Sequence, residues 1–284
     1  MAALAKNRLM CVQVQDINRL EARAITVQRG RRTVLQQISM ALSQGEVLSL
    51  LGANGAGKSS FLSALASEFK LNPALHANDA LSLNGHAFST LSVRQQARSR
   101  TVLPQKPGLA FDLDVTEVAA MGAYPFPELS APEVQTLVDR VLSLADIVHL
   151  AQRRYLELSG GEQQRVQFAR VLLQLLASRE ADPCGRYLLL DEPTASLDPL
   201  HQQALLQTVV ELTRSERIGA LVILHDMNLA ARYSDRIALL SDSQLLVCDT
   251  PGKALTTENL QQVYGINAHI MPHPQCPDRP LVVL

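Results

Sequence analysis

Four stretches of this chain combine residue types and spacings that could do chemistry. Gly52-Ala-Asn-Gly-Ala-Gly-Lys58-Ser59 fits the pattern G-x-x-x-x-G-K-[ST]. Gly52, Gly55 and Gly57 let backbone N–H groups curl around anionic oxygens, at the positive end of any helix that follows. Lys58 would bridge the β- and γ-phosphates of a nucleotide, and Ser59 would ligate Mg²⁺. With Asn54 and Ser60 these residues make up a candidate nucleotide-binding set. The bland alternative is a glycine turn before an ordinary helix.

Tyr187-Leu-Leu-Leu-Asp191-Glu192 is an apolar run that ends abruptly in two acids. A buried parallel strand would deliver Asp191 to its carboxyl end, where such sheets bind ligands. There Asp191 can hold Mg²⁺ through water, and Glu192 is placed to polarise an attacking water. The alternative is a carboxylate pair that caps a strand. Ser159-Gly160-Gly161-Glu162 has capping-box spacing, and its glycines expose N–H groups at a helix start without side-chain bulk. By itself that is a common helix start. His225 follows the apolar strand Ala220–Leu224, a place where histidine is more often structural, although a γ-phosphate sensor fits its position downstream of the acids.

The elements that must position these groups are legible in outline. Glu46–Leu51 reads as a buried strand entering the glycine loop, and Phe61, Leu62, Leu65 and Phe69 recur at helical spacing after it. Ala22–Val27 and Ile38–Leu42 alternate as strands about a turn at Gly30, and Asn84-Gly85 predicts a hairpin. Thr101–Leu103 is a brief strand running to Pro104-Gln105. Ala110–Ala151 is a helix-rich block broken by Tyr124-Pro-Phe-Pro127, in which Ser130-Ala-Pro-Glu133 opens a helix to about Ala145. Further helices are expected over Gly161–Leu176 and Leu200–Arg214, and a loop over Asp182–Gly185. A closing hairpin turns at Asp242-Ser243, and a tail from Pro251 holds one short helix (Glu258–Tyr264) and a proline-rich end.

The 284 residues are 47% apolar and 19% charged with formal net charge −1, which allows a large core and gives no electrostatic reason to expect a nucleic-acid partner. No apolar run approaches bilayer-spanning length, and the N-terminus lacks the apolar stretch of a secretory signal. Cys11, Cys184, Cys248 and Cys276 are scattered without a CxxC pair, which fits a reducing cytosol and no disulfide framework.

Taken together, the motifs resemble those of the ATP-binding subunits of ABC (ATP-binding cassette) transporters, from about Arg23 onward. Gly52–Ser59 is similar to Walker A, Gln105 to the Q-loop glutamine and Leu158–Gln163 to the family signature. Leu188–Glu192 is similar to Walker B, Ser196-Leu197-Asp198 to the D-loop and His225 to the switch histidine. The resemblance implies an α/β fold: a P-loop NTPase (RecA-like) core with an antiparallel β subdomain and an inserted α-helical subdomain. The expected division is an N-terminal extension over 1–19, an ATPase domain over 20–250 with its helical subdomain at about 108–160, and a C-terminal tail over 251–284.

It further implies ATP and Mg²⁺ as cofactors and two copies sandwiching two ATP molecules head-to-tail. Each nucleotide would lie between Walker A of one copy and Ser159, Gly160 and Gly161 of the other, and Asp198 of the D-loop belongs to the same nucleotide-binding set. Glu192, His225 and Gln105 become the catalytic set, and Ser59, Gln105 and Asp191 the metal set. The implied partners are two transmembrane permease subunits and, indirectly, a periplasmic substrate-binding protein, at the cytoplasmic face of a bacterial inner membrane.

Arg98–Gln105, Phe111–Val118, Met121–Pro125 and His225–Asp235 resemble importers of iron chelates, haem and cobalamin. Within that class Ser59–Ala66 and the loop before Arg186 look most like those of haem importers, with ferric siderophore or cobalamin as alternative cargo. A non-transport ABC ATPase acting on a soluble partner is a rival reading, and direct haem sensing by Cys276-Pro277 with His269 and His273 is another.

The chain departs from the family in one place. An aromatic residue that stacks on adenine is usual before Walker A, and Arg29 stands there. A planar guanidinium can stack on a base, whereas the alternative is an exposed hairpin arginine. Stacking predicts that Arg29→Ala weakens ATP binding in a titration, and unchanged affinity would sink the idea.

Overall fold

Continuous apolar strands build the centre of the molecule. In the computed structural model, which describes residues 18–68, 80–105, 108–109, 111–179, 182 and 184–284, a six-stranded sheet has the order β10-β9-β3-β8-β7-β6. Its members are β3 (Val47–Gly52), β6 (Arg100–Leu103), β7 (Tyr187–Asp191), β8 (Gly219–Ile223), β9 (Arg236–Ser241) and β10 (Gln244–Asp249). All but β10 run parallel, and every residue of β3, β7 and β8 is buried, as strands covered on both faces require. Alternate residues feed two cores. Leu51, Leu188, Leu190 and Val222 face one, while Leu48, Leu50, Leu189 and Leu221 face the other.

A four-stranded antiparallel sheet, β2-β1-β4-β5, covers the second face. It comprises β1 (Arg19–Arg29), β2 (Arg32–Ser43), β4 (Leu81–Leu83) and β5 (His86–Ala87). Helix α1 (Lys58–Leu65) joins it there, burying Phe61 and Leu62 in the same core as Leu35 and Ile38. β1 and β2 are longer than the sequence pattern predicts, because three register shifts between Ala22 and Gln28 break the alternation. Ala24 and Gln37 have positive φ, and their N–H groups are taken by Ser39 Oγ at 2.8 Å and Thr26 Oγ1 at 3.2 Å. The hairpin turns expected at Asn84-Gly85 and Asp242-Ser243 are present, with positive φ at all four residues.

The first face carries the helices. After α2 (Val93–Ser99) come α3 (Val115–Ala120) and α4 (Ala131–Leu144), then α5 (Gly160–Leu176), α6 (Pro199–Ser215) and α7 (Met227–Tyr233). The expected capping box opens α4, where Ser130 N–H donates to Glu133 Oε2 at 2.8 Å. The proline-bearing break turns Phe126 inward beneath Arg98 and Arg186, whose guanidinium carbons lie 4.8 and 5.4 Å from its ring centroid. Arg98 pairs with Glu128 beside it.

Beyond β10 the chain forms α8 (Pro251–Ala254), α9 (Thr257–Tyr264) and a hairpin of β11 (His269–His273) and β12 (Cys276–Val283). The short helix expected over Glu258–Tyr264 is α9, whereas α8 and the pairing of the proline-rich end into a hairpin were not expected. Pro272 and Pro280 face each other in a two-stranded ribbon, where an edge strand tolerates the missing N–H groups. Expectations for residues 1–17, Phe69, Ala110 and Pro183 fall outside the described residues.

One close approach fixes how the helical block sits. A Cβ on Gly122 would come within 2.3 Å of Arg170 O on α5. Gly122→Ala is therefore expected to destabilise the protein by about 1–3 kcal/mol in urea denaturation, through forced separation of two backbones.

Candidate functional site

The glycine loop leaves β3 and enters α1 without a side-chain cap. Gly57 at the N-cap has φ 102°, and a Cβ there would meet Leu35 Cδ2 at 2.6 Å and Val34 O at 3.0 Å, so β2 packs against the loop and only glycine fits. Helices α2, α3, α5, α6, α7 and α9 instead receive caps from Ser92, Asp114, Ser159, Asp198, Asp226 and Thr256. The first N–H groups of α1 are thus left for an outside acceptor, and no acid occupies its first turn.

Lys58 lies over this loop, buried, with Nζ donating to Gly52 O at 2.7 Å and Ala53 O at 3.1 Å. Burial pulls its pKa below the ordinary lysine value, opposed by Glu192 and Asp191. A multiply charged anion would offer this ammonium what the two carbonyls supply only in part. Arg29, Val34, Asn54, Gly55, Gly57, Ser59, Ser60 and Glu192 line the same open cleft, whose volume of about 380 Å³ suits a small-molecule ligand.

Ser59 Oγ donates to Asp191 Oδ1 at 3.3 Å. Burial raises the Asp191 pKa, and Glu192 adds to the rise, while the Ser59 hydrogen bond and Lys58 oppose it. A buried carboxylate, a hydroxyl and a second carboxylate nearby form a hard-oxygen donor set that fits a divalent cation such as Mg²⁺.

Beside them Glu192 is gripped from two sides. Gln105 Nε2 donates to Glu192 Oε2 at 2.6 Å, and His225 Nε2 lies 2.6 Å from Glu192 Oε1. Glu192 adopts φ 51°, an uncommon conformation for a residue with a side chain. Gln164 Nε2 on α5 reaches its carbonyl at 3.3 Å. The three candidate catalytic residues therefore meet at one carboxylate. No spacing rule pointed to Gln164, because its side chain arrives from another element.

Ser159, Gly160, Gly161 and Asp198 do not line this cleft. Ser159 heads α5 in a complete capping box: Glu162 Oε2 accepts from Ser159 N at 2.8 Å and from Ser159 Oγ at 2.7 Å, and these bonds hold the Glu162 carboxyl below its usual pKa. A Cβ on Gly160 would meet nothing within 4 Å, whereas one on Gly161 would come within 2.9 Å of Ser196 O. The start of α5 thus presents Gly160 outward and packs Gly161 on the segment leading to Asp198. Asp198 caps α6, accepting from His201 N at 3.0 Å, and lies 2.8 Å from His201 Nδ1.

His269, His273 and Cys276 all sit on the terminal hairpin, where Gln275 N donates to His273 Nδ1 at 3.1 Å. The hollow between His273 and Cys276 has a volume of about 10 Å³, too small for a tetrapyrrole. Among the described residues no group of three or more His, Cys, Asp or Glu could hold a metal ion, and no helix is long and apolar enough to cross a membrane.

Residues 35–195 match the protein family described as ABC transporter. Hemin import ATP-binding protein HmuV of Bordetella avium is 49% identical over 256 residues, covering 90% of this chain and 95% of its own. The protein of that name in Bordetella pertussis is 50% identical over 264 residues, covering 93% and 98%. An ATP-binding cassette solved as a dimer in a post-hydrolysis state, with ADP and Pi bound, shares the fold at TM-score 0.68 and 22% identity, covering 82% of this chain and 98% of that one. With the uncapped glycine loop and the Gln105-Glu192-His225 cluster at the carboxyl ends of the strands, these matches identify the chain as a member of the ABC transporter family, an ATP-binding subunit whose ATPase activity is coupled to transport.

Proposed function

We propose that this ATPase energises haem uptake, working as a head-to-tail pair of copies docked on two membrane-spanning permease subunits. The observation that carries the hydrolytic part is the Glu192 carboxylate, held between Gln105 and His225 beside the Lys58-Ser59-Asp191 group. In this reading Lys58 Nζ exchanges Gly52 O and Ala53 O for oxygens of the β- and γ-phosphates, and the N–H groups of the loop complete the cradle. Ser59 and Asp191 would hold Mg²⁺, with Gln105 adjoining through its carboxamide oxygen. Held there, the ion would supply charge neutralisation at the phosphate oxygens. Glu192 orients a water and takes its proton at Oε1 or Oε2, while His225 contacts the γ-phosphate.

Arg29, on the wall of the cleft, is where the adenine would stack. The outward position of Gly160 supports a role for Ser159, Gly160 and Gly161 at the nucleotide of the second copy. The packing of Gly161 on Ser196 would then transmit closure to Asp198. In this reading the chain works at the cytoplasmic face of a bacterial inner membrane, with a periplasmic binding protein delivering cargo from the far side.

Haem as the cargo is supported by the names of the relatives in Bordetella avium and Bordetella pertussis. Reconstitution with candidate permeases is expected to give ATP hydrolysis stimulated by a haem-loaded binding protein. Stimulation by a ferric siderophore or cobalamin in its place would reassign the cargo. Glu192→Gln is expected to bind ATP and dimerise while hydrolysis falls about 10²–10⁴-fold. Normal turnover in that variant would refute Glu192 as the base.

A further inference from the structure

The terminal hairpin grips the helix that follows His225 at both of its ends. Asp226 opens α7, its Oδ1 accepting from Asn228 N at 2.7 Å and from Leu229 N at 3.0 Å. Asn228 turns its carboxamide onto the outer edge of β12. Its Nδ2 donates to Val282 O at 3.0 Å, and its Oδ1 accepts from Val282 N at 2.8 Å. A side-chain amide here replaces a neighbouring strand, satisfying both backbone groups of a buried edge residue.

At the other end of α7, Arg279 Nη1 donates to Ala231 O at 3.3 Å and also to Ser234 O, two carbonyls left open by the end of the helix. The Ser234 hydroxyl in turn meets Ser49 on β3 at 2.5 Å. From α9, the half-buried Tyr264 hydroxyl lies against the backbone of Gly52, the first residue of the phosphate loop. Burial pushes its pKa up to about 12, and the Gly52 contact opposes the rise.

His225 itself is exposed and belongs to no helix or strand, so its reach to Glu192 depends on where α7 is held. Ala230, Ala231 and Tyr233 pack α7 into the core, and the hairpin adds side-chain hydrogen bonds at both of its ends. We infer that the C-terminal hairpin positions His225 for hydrolysis, with Asn228 and Arg279 as the positioning residues that fix α7. This rests on the reading above that His225 and Glu192 act in hydrolysis. It predicts that loosening the hairpin slows the chemical step and leaves nucleotide binding intact, because Lys58, Ser59 and Gly57 are held by other contacts.

The test is single-turnover ATP hydrolysis and ATP titration of the full chain, in parent and His225→Ala backgrounds. In the parent, Asn228→Ala and Arg279→Ala are each expected to slow hydrolysis about tenfold while ATP affinity stays within about twofold. Asn228→Asp keeps the acceptor for Val282 N–H and should fall between Asn228→Ala and the parent. In the His225→Ala background the same substitutions should slow hydrolysis no further, since the group they position is gone.

Parent-like rates in both alanine variants would overturn the inference, as would a slowing that repeats undiminished without His225. Loss of ATP affinity in step with rate would do the same. If Asn228→Ala fails to fold, Arg279→Ala decides by these criteria. A parent-like rate in His225→Ala alone would instead overturn the role given to His225, a result distinct from slow His225→Ala with unaffected Asn228→Ala and Arg279→Ala.

Discussion

Parallel registration of four strands governs the site. Leu50 on β3 and Asp191 on β7 both stand level with Ile223 on β8, and Leu103 on β6 stands level with Leu190. Each strand then releases its chemistry within a residue or two of that common line: Gly52 from β3, Glu192 from β7, His225 from β8 and Gln105 from β6. A slip of one residue in any pairing would turn an apolar strand against its core and carry its terminal group away from the others. Burial of both faces of β3, β7 and β8 therefore fixes the geometry of the cleft as well as the fold.

Against that frame the molecule distributes its unsatisfied groups unevenly. Most helix starts carry a side-chain cap, several in reciprocal boxes such as Ser92–Gln95, Asp114–Glu117 and Ser159–Glu162. The start of α1 has none, and the buried Lys58 beside it relies on two carbonyls. Across the cleft, Asp191 and Glu192 gather negative charge at the edge of a desolvated core. The opposed excesses are those a nucleotide with its divalent ion would neutralise at once, so ligand binding completes the electrostatics of the fold.

The back of the cleft shows how the periphery bears on the centre. Terminal strands in small domains often end loosely, yet β12 is tied to α7 through both backbone groups of Val282 and through Arg279. Likewise α9 brings Tyr264 to Gly52 at the root of the glycine loop. The C-terminal segment thus touches both the helix that follows His225 and the last residue of β3, Gly52.

Local chemistry wrote much of this into the chain. The spacing of Gly52 to Ser59, the apolar run ending at Asp191-Glu192, the Ser159–Glu162 box and the turns at Asn84-Gly85 and Asp242-Ser243 are properties of a few adjacent residues, so they are readable without coordinates. Even the loop's need for glycine at Gly57 shows only as a pattern; the reason, the approach of Val34 and Leu35, comes from another strand. The tertiary structure alone decided the rest. It set the left-handed backbone at Glu192, the meeting of Gln105 with His225 on one carboxylate, the support of Gln164, and the grip of the prolines' hairpin on α7. Each of these joins residues far apart in the chain. Their distances depend on strand order β9-β3-β8-β7-β6 and its register, which local propensity does not encode.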